Sequence, residues 1–183
     1  TDYQFMAGSL QVQALPVEHR VPCVAYSLVL PRAGKFDAAR AKARNIPLQY
    51  WAPLQKGQTV TDGDTIYYPE DVLGAPRRGL KLTYATDCRP SEALTNLAQN
   101  SDLFVAEGLY GDEEKQPGAA EKGHMVYSEA ATMARNAKVG QLWLTHYSPA
   151  MLEPEEHLSV AQNIFANSRC GTNLMTTTLK FQE

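Results

Sequence analysis

The sequence predicts an α/β domain, a layered structure of strands and helices. Two observations carry that expectation. From Leu80 onward, short apolar runs bounded by turn residues alternate with helical segments that open on good capping residues. Several of the apolar runs also end directly on a carboxylate or an imidazole, the pattern of strands whose carboxyl ends converge on one sheet edge.

Taken in order, Gln11 to Pro16 and Cys23 to Leu30 read as short strands with partly alternating Val, Ala, Tyr and Leu, separated by Glu18-His19-Arg20. Between Pro31 and Gly79 the character changes. A short basic helix over Asp37 to Arg44 is followed by Pro47, Trp51, Pro53 and Gly57, then Asp62-Gly63-Asp64 and Gly74-Ala75-Pro76. This stretch is loop-dominated and poor in core periodicity, an excursion from the domain body. Leu80 to Ala85 then reads as a buried strand ending at Thr86-Asp87. Ser91 caps a helix through Asn100, with Glu92 suited to its first turn. Leu103 to Ala106 is a buried strand ending at Glu107, Gly111 to Gly123 a loop, and Ser128 to Ala137 an Ala-rich helix. Gln141 to Thr145 is a strand ending at His146, Glu155 to Ala166 a helix, and Leu174 to Phe181 a final strand. The whole is expected to be one domain.

Composition excludes several classes. Apolar residues make up 44% and charged residues 20% of the 183, as in ordinary globular proteins. No apolar run approaches the roughly 18–20 residues that cross a bilayer, and no signal peptide is visible. The chain opens on Thr1 rather than Met, which points to a natural start upstream. Cys23, Cys88 and Cys170 are odd in number and form no CxxC pair, which suits a reducing compartment, the cytoplasm, better than a disulfide framework. A net charge of −3 argues against indiscriminate nucleic-acid binding. Yet Arg32, Lys35, Arg40, Lys42, Arg44 and Lys56 cluster against the acid Asp37, either as a solvated face or as a phosphate-gripping segment.

Asp87, Glu107 and His146 are placed to reach a shared metal or substrate. Taken singly, each has a structural reading beside the functional one: a hydrogen-bonded core histidine, a helix cap, a turn residue. His19 between strands and His124 in a Gly-containing loop divide the same way, and His157 reads as solvent-facing. Together, His19, Asp87 and His146 form a borderline-hard N/O donor set suited to zinc.

The ordered set of motifs resembles the ribonuclease Z family. It comprises Pro16-Val17-Glu18-His19-Arg20-Val21-Pro22, Gly34-Lys35-Phe36, Asn45-Ile46-Pro47 and Leu54-Gln55-Lys56-Gly57-Gln58-Thr59-Val60. Thr86-Asp87-Cys88-Arg89, Val105-Ala106-Glu107-Gly108, His124 and Leu144-Thr145-His146-Tyr147-Ser148 follow. That resemblance implies the carboxyl-terminal half of a metallo-β-lactamase αββα sandwich: a mixed sheet with helices on one face and a protruding arm over residues 31–76. It implies a zinc-dependent endonuclease that cleaves precursor tRNA at its 3′ end, with two zincs per complete site. His19 would bind one zinc, Asp87 would bridge both and His146 would bind the second. Glu107 would orient His124, which would protonate the leaving oxygen. Arg32, Lys35, Arg40, Lys42, Arg44 and Lys56 would grip the tRNA, and a homodimer is implied.

The sequence also departs from the family. The His-x-His-x-Asp-His signature is absent from these residues, so the zinc ligand set is incomplete and this chain alone is expected to be inactive. The resemblance likewise implies a missing amino-terminal half as partner for an exposed sheet face. Thr86 replaces a Gly, Cys88 a Thr, and Glu107 retains only the acid of its motif. Two other readings stand beside the nuclease: a hydrolase of a small phosphodiester or other ester, and a degenerate scaffold.

Overall fold

The computed structural model describes residues 3–182. It falls into two compact units: residues up to Leu30 with Leu80–Phe181, and Pro31–Gly79 with Gln182.

The larger unit is built on a seven-stranded sheet. Its strands are β1 (Tyr3–Ala7), β2 (Leu10–Val17), β3 (Cys23–Arg32), β6 (Arg77–Ala85), β7 (Leu103–Glu107), β8 (Leu142–Thr145) and β9 (Ser168–Cys170), hydrogen-bonded in that order. The first three form an antiparallel meander, with Leu15 opposite Ala25 and Val17 opposite Cys23. From β6 to β9 the strands run parallel, so their carboxyl ends share one edge. The sheet is therefore mixed, and the α/β expectation stands.

Helices cover one face. Leu15, Ala25, Ala85, Phe104, Ala106, Leu142, Leu144 and Cys170 point into a core shared with α3 (Glu92–Ala98), α5 (Tyr127–Asn136) and α6 (Leu158–Ile164). Fully burying a Leu or Phe in such a core stabilises by about 1.5–3 kcal/mol relative to exposure. Ala130, Ala131 and Ala134 let α5 lie close to the strands. The Ser91 hydroxyl accepts the Leu94 N–H at 3.1 Å, capping α3 as its sequence predicts.

Alternation sends the remaining side chains to the opposite face. Tyr3 and Phe5 stand beside Ala14 and Val12, and Val24, Tyr26 and Tyr84 continue the apolar surface; all but the two residues of β2 are at least 39% exposed. Trp143 points to this side too, between the core residues Leu142 and Leu144. Its Nε1 is a buried side-chain donor without a hydrogen-bond partner among the described residues. No helix is long and apolar enough to cross a membrane among the described residues.

The smaller unit has a core of its own. Ala41, Ile46, Leu54 and Val72 are buried together, with Phe36, Trp51, Tyr50, Val60 and Tyr67 packed around them. It contains α1 (Ala38–Ala43), α2 (Trp51–Gln55) and a hairpin of β4 (Val60–Asp62) and β5 (Thr65–Tyr67), turned by Gly63 at φ +57°. The stretch read as loop-dominated and poor in core periodicity thus holds its expected short helix and a small core besides; the core's apolar residues are scattered between short elements, so no periodicity advertises them. Gly34 is required here, since a Cβ would meet the Gly74 carbonyl oxygen at 2.0 Å.

Other element expectations also fail. Leu174 to Phe181 forms no strand; Leu174 is 97% exposed with φ +62°, and Ser168–Cys170 takes the sheet edge instead. Gly111 to Gly123 is no plain loop: Asp112 caps a 3₁₀ turn over Glu113–Lys115 that runs into α4 (Gln116–Glu121), with Pro117 tolerated in its first turn. The Glu155 to Ala166 helix begins as a 3₁₀ turn over Pro154–His157. There His157 is half-buried, its Cβ tight against Gly111.

Candidate metal centre

The larger unit brings five of the sequence-predicted residues together, and every one of them reaches another. Asp87 lies just beyond β6, Glu107 ends β7 and His146 follows β8, all on the parallel edge. His19 comes from the β2–β3 connection and His124 from the segment between α4 and α5.

Glu107 is the anchor. Its carboxylate is fully buried; one oxygen accepts the Cys88 backbone N–H at 2.6 Å and the other lies 2.9 Å from His124 Nδ1. Burial pushes the carboxyl up to about 8, against the pull of the Cys88 N–H, with Asp87 adding to the rise. His124 is held below the usual histidine value by burial and by the His19 and His146 rings beside it. Their centroids lie 4.7 Å and 5.4 Å away. With Nδ1 on Glu107, the His124 ring keeps Nε2 for other chemistry.

Asp87 and His146 form a second pair, Oδ1 to Nε2 at 3.0 Å. Both side chains remain about a third exposed, and both backbones are left-handed, φ +20° and +56°. Such conformations at non-glycine residues are uncommon and gather at functional sites. His146 Nδ1 lies 3.4 Å from Glu107, so Glu107, His124 and His146 can each offer an atom to one cluster.

His19 Nδ1 lies 2.9 Å from the Gly123 carbonyl oxygen. As donor to that carbonyl, the ring leaves Nε2 with its lone pair, the arrangement that orients metal-binding histidines. Gly123 is at φ +81°, and a side chain there would press on His19 Nδ1 at 3.0 Å. His19 and Asp87 fall in a second cluster with Cys23, all ligand atoms within 4.8 Å of one another. The imidazoles and carboxylate at this edge therefore fit a borderline-hard cation such as zinc.

At this edge, sequence reasoning missed two residues. Cys23, read as a strand start, is one. Arg89 is the other. Its backbone N–H donates to the Glu18 carbonyl at 2.8 Å, and its guanidinium reaches the His124 carbonyl at 2.5 Å and both Glu129 oxygens at 2.7 and 3.0 Å. Arg89 thus ties together the segments that carry His19, Asp87 and His124. Its signal was its position, directly after Asp87-Cys88, but the Glu129 partner lies too far along the chain to be read.

In the smaller unit the predicted basic residues divide. Arg44 is paired to Asp71 at 2.5 Å and Arg40 lies 3.4 Å from the Leu73 and Glu70 carbonyls, so both serve the unit's own structure. Lys42 and Lys56 are exposed. Arg32, which donates to the Gln182 carbonyl at 2.7 Å, and Lys35 line a cleft of about 710 Å³ with Arg77, Arg78 and Gln182. Arg77 and Arg78 were not among the sequence candidates, although their adjacency was visible.

No family model matches the chain. Single relatives do match. The chain is 45% identical over 181 residues to a ribonuclease Z of Clostridium acetobutylicum, covering 99% of this chain and 59% of that relative. To a ribonuclease Z of Clostridium kluyveri it is 43% identical over 176 residues, 96% of this chain and 58% of the relative. The chain is homologous to ribonuclease Z. It spans about three-fifths of the length of these curated relatives. Solved structures agree on the fold. Human tRNase Z, short form, matches with a TM-score of 0.58 at 17% identity, over 98% of this chain and 48% of that one. A metallo-β-lactamase fold protein from Bacillus subtilis, YhfI, matches with a TM-score of 0.58 at 19% identity, over 92% of this chain and 49% of its own. The sheet with helices on one face is thus part of a metallo-β-lactamase fold.

Proposed function

We propose that the intact protein carrying these residues is a zinc-dependent endonuclease that cleaves precursor tRNA at its 3′ end. The observation that carries this reading is the convergence of His19, Asp87, Glu107, His124 and His146 on one sheet edge of a chain homologous to ribonuclease Z.

In this reading His19 would hold one zinc, His146 a second, and Asp87 would contribute to both. Bound zinc would supply an activated water at neutral pH and would stabilise charge on the phosphate. The chain's own residues supply the rest. Asp87 and His146 hold their donor atoms 3.0 Å apart on backbones that fix their direction. Glu107, buried and locked by the Cys88 N–H, aligns His124 through Nδ1. His124 Nε2 then delivers a proton to the leaving 3′ oxygen, a role worth about 10²–10⁴-fold in rate.

The apolar sheet face of Tyr3, Phe5, Val24, Tyr26 and Tyr84 is the surface on which the remainder of the sandwich docks, supplying the ligands that these residues lack. The unpartnered Trp143 Nε1 supports that reading, because a buried donor ordinarily has an acceptor. By itself this chain would bind zinc weakly and be inactive. The smaller unit serves as the tRNA-gripping arm, with Arg32 and Lys35 from the sequence set joined by Arg77 and Arg78. Cytoplasmic location and a homodimer complete the reading.

The test is cleavage of a 3′-extended precursor tRNA by the intact protein. The expected result is a single cut leaving a 3′ hydroxyl, abolished by a chelator and restored by zinc. His124→Ala should lower the rate by about 10²–10⁴-fold while leaving metal content unchanged. Cleavage indifferent to chelation, or no cleavage, overturns the proposal.

A further inference from the structure

We infer that Cys23 is a metal ligand, giving the His19 side of the site a sulfur donor; the inference rests on the metal-centre reading above. Three observations lead to it. First, the Cys23 thiol, an imidazole nitrogen of His19 and a carboxylate oxygen of Asp87 lie within 4.8 Å of one another. Ligand atoms around a tetrahedral zinc are separated by about 3.3–3.8 Å, given bonds of about 2.0–2.3 Å. A bound of 4.8 Å includes that spacing, so the three groups lie close enough to share one ion.

Second, the fold places Cys23 there by construction. Val17 and Cys23 are the closing pair of the β2–β3 meander, and His19 stands in the connection that they bracket. The same hairpin end therefore delivers both donors to the edge, beside the Asp87 that leaves β6, the next strand in the sheet.

Third, the other cysteines have different surroundings. Cys88 and Cys170 are buried in the helix-side core at 0% and 5% exposure, while Cys23 is only partly buried. Within that core a thiol acts as a small apolar side chain. Cys23 instead faces a carboxylate and an imidazole. Neither the spacing of conventional zinc motifs nor a CxxC pair marks it, because its partner is a histidine four residues earlier on a hairpin and an acid 64 residues later.

On binding, the Sγ–H bond breaks as the Sγ–metal bond forms, and the proton passes to solvent. A thiolate shifts the preference of the site toward softer divalent ions than an all-N/O set would accept.

Cobalt-substituted intact protein provides the readout. The expected spectrum contains a sulfur-to-cobalt charge-transfer band in the near ultraviolet as well as ligand-field bands in the visible. In Cys23→Ser the charge-transfer band should disappear, the visible bands should remain, and zinc affinity should fall by about tenfold or more. Zinc should also slow alkylation of Cys23 by iodoacetamide, read by mass spectrometry. A cobalt protein with visible bands but no charge-transfer band, or a band unchanged in Cys23→Ser, overturns the assignment and leaves the metal-centre reading standing. Failure of the unsubstituted protein to bind cobalt defeats both.

Discussion

The parallel edge of the sheet and the Pro31–Gly79 unit place polar side chains in opposite ways. At the edge, Glu107 is fully buried, His124 is held by it and His19 is fixed by the Gly123 carbonyl. Each group is oriented before any ligand arrives, and the low-dielectric surroundings magnify what it does. In the other unit, Lys35, Lys42 and Lys56 are exposed, Arg40 and Arg44 hold the unit itself, and Arg32, Arg77 and Arg78 donate to Gln182 and Ala33. Preorganisation marks a place for chemistry. Loose charge marks a place for long-range attraction, which is screened by salt. One molecule thus carries preorganised polar groups in one region and solvent-facing charge in another.

The contrast breaks most visibly at Asp87. Asp87→Ala removes the acid shared by the His19 and His146 sides, so precursor cleavage should fall to background and bound zinc should drop, measured by elemental analysis of the purified protein. Retention of both metals with partial activity would erase the distinction between the edge and the arm. A smaller and different effect is expected from neutralising Arg32, Lys35, Arg77 and Arg78 together to Gln. The KM for precursor tRNA should rise, and the salt slope of binding should flatten by about 1 for each phosphate that is no longer gripped. Turnover of a small phosphodiester should stay unchanged. Equal losses on both substrates would place these cations at the chemistry instead.

The smallest effect concerns the edge's support. Burial raises the Glu129 carboxyl, but Arg89, Gln116 and the Val126 N–H outweigh it and hold it below its ordinary value. The stability it contributes is therefore complete above the unfolded carboxylate range and lost as pH falls through the lower folded value. Glu129→Gln should destabilise by about 1–3 kcal/mol at neutral pH. In urea titrations the gap to the unsubstituted protein should close on acidification; a gap constant with pH would mean that the Arg89 pair contributes nothing through its charge.

How far the sequence discloses this molecule depends on range. Strands β2, β3, β6, β7 and β8 announce themselves by apolar runs, and the polar residues that end them fall together because parallel strands share an edge. The Leu174 to Phe181 strand fails because a local alternation says nothing about which segment wins the edge, and Ser-Arg-Cys at 168–170 carries no strand signature. That His19, Asp87, Glu107, His124 and His146 converge is legible from their positions and order. Cys23 and Arg89 are not, since what defines them is a neighbour across the sheet rather than along the chain. The core of the smaller unit escapes for the same reason, with Ala41, Ile46, Leu54 and Val72 contributed by separate short segments.

The left-handed backbones of Asp87 and His146 bear on how such a site survives mutation. Glycine suits that region better than either residue, and strain of this kind costs on the order of 1 kcal/mol or more per position. A population of variants selected only for thermal tolerance would therefore drift toward glycine at these two positions, gaining robustness while discarding the carboxylate and the imidazole. Asp87→Gly and His146→Gly are therefore expected to keep or raise stability while each loses its donor atom, a trade that urea titration and metal analysis read together.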